Sequence, residues 1–259
     1  MLRLAVMSLS YQRAFAAGTM DLFSYIQTSR ELGVDGVDLH GRHFVSTDTN
    51  YLWRLKRACI ERGLTIACVS IPNNFAGVAE SLPAELAKTR QMIDAAAFLG
   101  APLVRVFAGW SEHKDSETWE RVVSCLRQAA AYGESKGVVV ALQNHNHGGV
   151  AALGKDVLRL MDDVAHPNLS HVLDTGQYLD LYDSIAMTAP HAIHVRCKIY
   201  QIESGEERKL DYSRIFPILR TVRYNGFLSI VYEGSEDELV AVAKAVPYLR
   251  RFMSESASA

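Results

Sequence analysis

The stretch Gly137-Val138-Val139-Val140-Ala141-Leu142-Gln143-Asn144-His145 contains the unit from which the whole chain is built. Residues 117–136 before it carry apolar side chains at helical spacing, and Gly137 stops that run, as glycine does at the left-handed position after a helix. The β-branched run that follows reads as a strand, and polar Gln143-Asn144-His145 extends beyond its C-terminal end. The same order recurs on either side. Residues 21–32 stop at Gly33 before Gly36-Val37-Asp38-Leu39-His40. Residues 51–62 stop at Gly63 before a strand over 64–70, and 82–99 stop at Gly100 before one over 102–107. The second half keeps the beat, with helices over 155–164, 184–188, 212–222 and 236–253 between strands over 171–174, 192–196 and 227–233. With a first strand over 2–8, eight strands alternate with eight helices.

Strict strand-helix alternation implies a parallel sheet with helical crossovers. Eight such units in 259 residues point to an α/β fold, a single (β/α)8 barrel, rather than an open doubly wound sheet. The barrel is expected over 1–253 as one domain, with 254–259 a flexible C-terminal tail. No G-x-G-x-x-G follows the first strand and no P-loop pattern occurs, so a dinucleotide or P-loop fold lacks its usual support.

Composition narrows the function. With 49% hydrophobic and 22% charged residues, the chain can bury a large core and is not disordered. Lys and Arg number 27 against 29 Asp and Glu, a net charge of −2, which predicts neither nucleic acid nor anionic membrane as partner. The four cysteines, Cys59, Cys68, Cys125 and Cys197, form no C-x-x-C pair and read as reduced structural thiols. Arg3 interrupts the short apolar start and no cleavage pattern follows, so a cytoplasmic location is expected.

In such a barrel the chemistry lies at the C-terminal ends of the strands. Polar residues concentrate there: Asp38 and His40, Ser70 with Asn73 and Asn74, Arg105, Gln143 to His147, Asp174, His194 to Lys198, and Glu233. Period-two alternation puts Gln143 and His145 on one face of their strand, Asp174 on the face of Val172, His194, Arg196 and Lys198 together, and Glu233 with Val231. Each has a plainer reading beside the functional one. Asp174 before Thr175-Gly176 suits a helix cap or Asx-turn, Glu233 before Gly234 a solvated turn, and His145 and His147 ordinary loop positions. Arg105, between Val104 and Val106, is different, because a buried guanidinium needs an anionic partner or ligand.

Five segments together resemble one family. They are Gly36-Val37-Asp38-Leu39-His40, residues 99–107 (Leu-Gly-Ala-Pro-Leu-Val-Arg-Val-Phe), Ala141-Leu142-Gln143-Asn144-His145, Leu173-Asp174-Thr175-Gly176 and Tyr232-Glu233-Gly234. Their order and strand phase are similar to those of the xylose isomerase-like TIM barrels, the sugar phosphate isomerase/epimerase superfamily, in its Leu-Gln-Asn-His subgroup. The resemblance implies a divalent metal (Mn, Mg, Co or Zn) held by the ends of strands five to eight. Gln143, Asp174, His194 and Glu233 are the candidate ligands here. Two departures oppose that metal. Gln143 offers a neutral carbonyl in place of a carboxylate, and Arg196 stands at the usual imidazole position, where a guanidinium cannot coordinate. Arg196 is therefore expected to take the metal's place as a fixed cation paired with Asp174 and Glu233.

The resemblance implies proton abstraction next to the carbonyl of a sugar or keto-sugar, giving isomerisation, epimerisation or β-elimination. Glu233, Lys198, His145 and Gln143 are the catalytic candidates, and His40, Asn73, Arg105 and Arg196 the substrate-binding ones. The expected partner is a small carbohydrate, with a homo-oligomer compatible with exposed loop aromatics such as Trp110. Two other readings stand beside it: a barrel that has lost catalysis and serves as a sugar-binding or partner subunit, and, more distantly, a DNA-repair enzyme of the endonuclease IV type.

Overall fold

The structure is a computed structural model that describes residues 2–112 and 115–255. Eight strands close into a barrel in chain order: β1 (Arg3–Met7), β2 (Gly36–His40), β3 (Thr65–Ser70), β4 (Leu103–Phe107), β5 (Val139–Gln143), β6 (Leu169–Asp174), β7 (Ala192–Ile199) and β8 (Phe227–Tyr232). Every neighbouring pair is parallel, and β8 returns to β1 through Arg3↔Phe227 to Val6↔Ile230. The expected single (β/α)8 barrel is the fold.

Among the described residues the helices are α1 (Gln12–Ala16), α2 (Leu22–Glu31), α3 (Thr49–Glu61), α4 (Leu82–Leu99), α5 (Ser116–Ser135), α6 (Gly154–Val164), α7 (Tyr182–Thr188), α8 (Tyr212–Thr221) and α9 (Glu238–Glu255). Their ends follow local chemistry. Asp21, Asp48, Asp115 and Asp211 each accept a backbone N–H at a helix start, and Gly100 closes α4 at a φ of 79°. The short α1 adds one helix to the expected eight. Of the expected tail, Ser254 and Glu255 continue α9, and 256–259 lie outside the described residues.

Leucine, valine and isoleucine on the outer strand faces pack against the helices in one continuous core. Two small clusters stand apart and fill the barrel itself: Ala5, Ala67 and Phe227, and Cys68, Leu103, Ala141 and Val172. They plug the interior below the strand ends, so the polar residues above them sit on an apolar floor. All four cysteines are buried and free of disulfides. No helix among the described residues is long and apolar enough to cross a membrane.

Candidate active site

The cavity at the C-terminal ends of the strands has a volume of about 240 Å³. His40, Asn73, Arg105, Gln143, His145, Asp174, Arg196, Lys198 and Glu233 all line it, drawn from β2 to β8 or the loops just after them. His194 does not; it lies buried on β7 with its Nε2 2.8 Å from Asp38 Oδ2.

At the centre is Lys198. Its ammonium donates to Glu233 Oε1 at 2.8 Å and lies 3.3 Å from Asp174 Oδ2. Lysine and aspartate are almost completely enclosed, whereas the Glu233 side chain keeps 30% of its surface. Glu233 is thus the carboxylate that a ligand can reach. Burial pushes its carboxyl up, but the charge and hydrogen bond of Lys198, helped by His145 and Arg196, outweigh this and hold it below the usual glutamate range. Asp174 shifts the other way, raised by burial against the opposing pull of Lys198.

Arg196 does not take the place expected for it. Its two terminal nitrogens go to Gln143 Oε1 and Ser70 Oγ, across the barrel from β7 to β5 and β3. The correction has a geometric cause. Arg196 and Lys198 share a face of β7, but Arg196 pairs in register with Asp174 while Lys198 is two residues higher, level with Val231 of β8. The higher cation reaches the gap between the two acids, and the lower one spans the floor. Gln143 links them: its amide N–H donates to Asp174 Oδ2 at 2.9 Å, and its carbonyl accepts from Arg196. Reversing that amide would set N–H against N–H and oxygen against carboxylate.

These donors do not fit a divalent cation. The gap between Asp174 and Glu233 already contains a positive charge, the Gln143 carbonyl is taken by a guanidinium, and His194 is engaged with Asp38. Among the described residues no group of three or more His, Cys, Asp or Glu could hold a metal.

The histidines facing the cavity are neutral. His145 is pushed down to about 4 by burial, with His147 and Lys198 adding to it. Its Nδ1 accepts from Trp110 Nε1 and from the His147 N–H, both at 3.3 Å, so the ring proton sits on Nε2. His40 is held far below its ordinary value by burial, then by Arg105, His43, Arg196 and Arg42. Its Nδ1 accepts from the Arg42 N–H at 3.2 Å, which again leaves the proton on Nε2.

Asn73 is placed at the cavity, but its amide clamps the end of β4, donating to Phe107 O at 2.7 Å and accepting from Phe107 N at 2.8 Å. The clamp occupies Oδ1 and one of the two Nδ2 protons. Asp174 does make the Asx-turn that its Thr-Gly sequence permits, with Oδ1 accepting from Gly176 N at 3.1 Å. The turn hydrogen bond uses Oδ1, and Oδ2 is the oxygen that faces Gln143 and Lys198. Gln177, Phe107 and Glu85 also line the cavity, and the sequence reading did not single them out. Gln177 Oε1 is buried with no hydrogen-bond partner among the described residues, and its signal in the sequence is its place three residues after Asp174.

Comparison with known proteins gives the same architecture. The chain superposes on L-ribulose 3-epimerase with a TM-score of 0.82 at 17% identity, covering 100% of this chain and 96% of that one. For D-allulose 3-epimerase from Methylomonas sp. the TM-score is 0.79 at 16% identity, over 97% and 98% of the two chains. For 3-keto-D-glucoside 4-epimerase from E. coli, in its apo form, it is 0.77 at 19% identity, over 97% and 100%. No curated protein matches the sequence itself. The family model of the xylose isomerase-like TIM barrel matches residues 26–252, and the chain belongs to that family.

Proposed function

We propose that this protein is a sugar isomerase that moves a proton next to a carbonyl without a metal, with Glu233 as the base and Lys198 as the fixed cation. The observation that carries the reading is the Lys198 ammonium between a reachable Glu233 and an enclosed Asp174. Its family and its structural likeness to sugar epimerases support a carbohydrate substrate.

Glu233, kept ionised by its cationic neighbours, takes a proton from the carbon beside the carbonyl. The C–H electron pair moves into the new C=C bond, and the carbonyl π pair moves onto oxygen. Lys198 stabilises the resulting enediolate from its place beside Glu233. Nε2–H of neutral His145 is a second donor for that oxygen. Glu233 then returns the proton to the adjoining carbon while the hydroxyl proton passes between the two oxygens, exchanging aldose and ketose. Where the enediolate instead reforms its carbonyl and shifts its double bond toward the β carbon, the hydroxyl there leaves as water with the proton that Glu233 took up, and the reaction is an elimination.

Epimerisation by two opposed bases is a poorer match. Gln143 occupies the end of strand five, and a neutral amide held by Arg196 and Asp174 cannot accept a proton. The test is to incubate metal-depleted protein with aldoses and ketoses in D₂O and follow C–H exchange by NMR. Exchange should persist in EDTA and fall by about 10²–10⁴-fold in Glu233→Gln, the usual contribution of a positioned base. Exchange that Glu233→Gln leaves intact overturns the assignment.

A further inference from the structure

Charge is unevenly distributed around the cavity. On the β6–β8 side, Lys198 is matched by Asp174 and Glu233. On the β2–β4 side stand His40, Arg42 and Arg105, and burial, joined by the charges of Arg105, Arg196 and Arg42, keeps His40 neutral. The acid on that side is Glu85, and it is already engaged: its carboxylate accepts from Asn74 N at 2.9 Å and lies 3.8 Å from Lys88. Buried Asp38 has Oδ2 bound to His194 and Oδ1 without a hydrogen-bond partner among the described residues; its charge favours that of Arg105, but it makes no ion pair with the guanidinium.

Arg105 is the anomaly. It is 1% exposed and makes no ion pair among the described residues. Nη1 donates to Ile71 O at 2.8 Å, Nε is buried with no partner, and the guanidinium stacks 3.9 Å from the Phe107 ring centre. Nη2 makes no hydrogen bond among the described residues. A buried guanidinium normally has a carboxylate across from it, because an unpaired buried charge is strongly destabilising. The rest of the surroundings hold Arg105 in place: Asn73 clamps Phe107, which fixes the ring under the guanidinium.

We infer that Arg105 binds a carboxylate of the substrate, and that the substrate is a sugar acid rather than a neutral sugar. The inference rests on the proton-transfer reading for the position of the carbonyl, which lies toward Lys198 and Glu233. The acid group then points the opposite way, to the β2–β4 side, with Arg42 at the rim and the Nε2–H of His40 nearby. A carboxylate suits the space and the donors better than a phosphate. The cavity of about 240 Å³ is small. Arg105 presents a flat guanidinium with one terminal nitrogen free of partners among the described residues, which matches the planar, two-oxygen carboxylate more closely than the tetrahedral, three-oxygen phosphate, and Arg42 and His40 add to it from the rim. Gln177 Oε1, buried without a partner, supplies an acceptor for a sugar hydroxyl.

Matched triads test this: D-fructose, D-fructuronate and D-fructose 6-phosphate, and the same three forms of D-tagatose. Binding to the wild-type protein is measured by calorimetry, and C–H exchange in D₂O is followed in parallel. The expected result is that one uronate binds at least about tenfold more tightly than its neutral counterpart and its phosphate. Arg105→Met should remove that preference, Arg105→Lys should restore part of it, and circular dichroism confirms both folds. Equal affinity within every triad, absence of binding by all six compounds, or preference for a phosphate overturns the inference, and none of these needs a variant to fold. The two proposals fail separately. A neutral ketose that exchanges deuterium as fast as its acid removes the sugar acid and leaves the proton transfer standing. A uronate that binds through Arg105 without exchange in any compound supports the carboxylate site and removes the proton transfer.

Discussion

Asn144 grips the main chain of Asp174 at both of its polar groups: Nδ2 donates to Asp174 O at 2.9 Å, and Oδ1 accepts from Asp174 N at 2.8 Å. Both residues are fully enclosed, so neither backbone group has water as an alternative. Asn144→Ala should therefore cost roughly 2–6 kcal/mol, since each of the two orphaned buried groups costs about 1–3. Urea unfolding reads this directly. A loss below about 0.5 kcal/mol would show that the clamp does not hold β6 in place.

The cation between Asp174 and Glu233 predicts how metal binding could be engineered. Lys198→Ala/Arg196→His removes both cations, releases the Gln143 carbonyl and places an imidazole on β7 level with Asp174. This double variant should bind Mn²⁺ at one equivalent per chain in calorimetry, and the unmodified protein should not. Stoichiometric metal in tag-free wild-type protein, measured by elemental analysis, would sink the reading of Lys198 as the resident cation.

The pH profile of the reaction follows from the base. Glu233 must be ionised, and its carboxyl is held below the ordinary 4.5, so the active fraction is lost only as pH falls through that lowered value. The acid limb of kcat/KM should lie below pH 4.5. His145, pushed down to about 4, should add no inflection between pH 6 and 7. An inflection there that His145→Asn abolishes would make the imidazole a titrating participant instead.

Stability should respond to acid well above the carboxylate range. His171 donates Nδ1–H to Leu142 O at 2.8 Å and receives Tyr178 OH at Nε2, and burial drives it from 6.5 down to about 4. Below 6.5 the unfolded chain takes up a proton that the folded one refuses, so stability falls from about pH 6.5 to pH 4. A shift of this size is worth on the order of 3 kcal/mol. His40, His43 and His145 are shifted in the same direction and add to the slope. His171→Gln, which keeps a donor and an acceptor but does not titrate here, should flatten the slope between pH 4 and 6.5 in denaturant melts.

The strands were legible because each follows a glycine stop with a β-branched run, and the buried barrel leaves no other use for such runs. Strand parity put Gln143, Asp174, Arg196, Lys198 and Glu233 on inward faces. It could not rank Arg196 against Lys198, because parity carries no height. Height comes from the stagger between strands, which is set by pairs such as Lys198↔Val231 and Ile199↔Tyr232. That pairing also carries β7 past Arg196, the end of the strand expected from the local pattern, to Ile199. The clamps made by Asn73 and Asn144 were illegible for a related reason: each acts on the next strand, about 30 residues away in sequence, and nothing in its own neighbourhood signals that.

The closed ring has a consequence for how the protein comes to exist. The Ser10 hydroxyl donates to Ile230 O, and its oxygen accepts from Tyr232 N, 222 residues further along. Contacts so distant form slowly, because the whole intervening chain must be ordered before they contribute. During synthesis every strand but the last can be present while β1 and β7 still expose open edges. In that interval Lys198 lacks Glu233, the more exposed of its two carboxylate partners. The final strand thus seals the sheet and delivers the proposed base in one event, so neither a sound barrel nor a competent site should be found in any nascent chain that stops short of it.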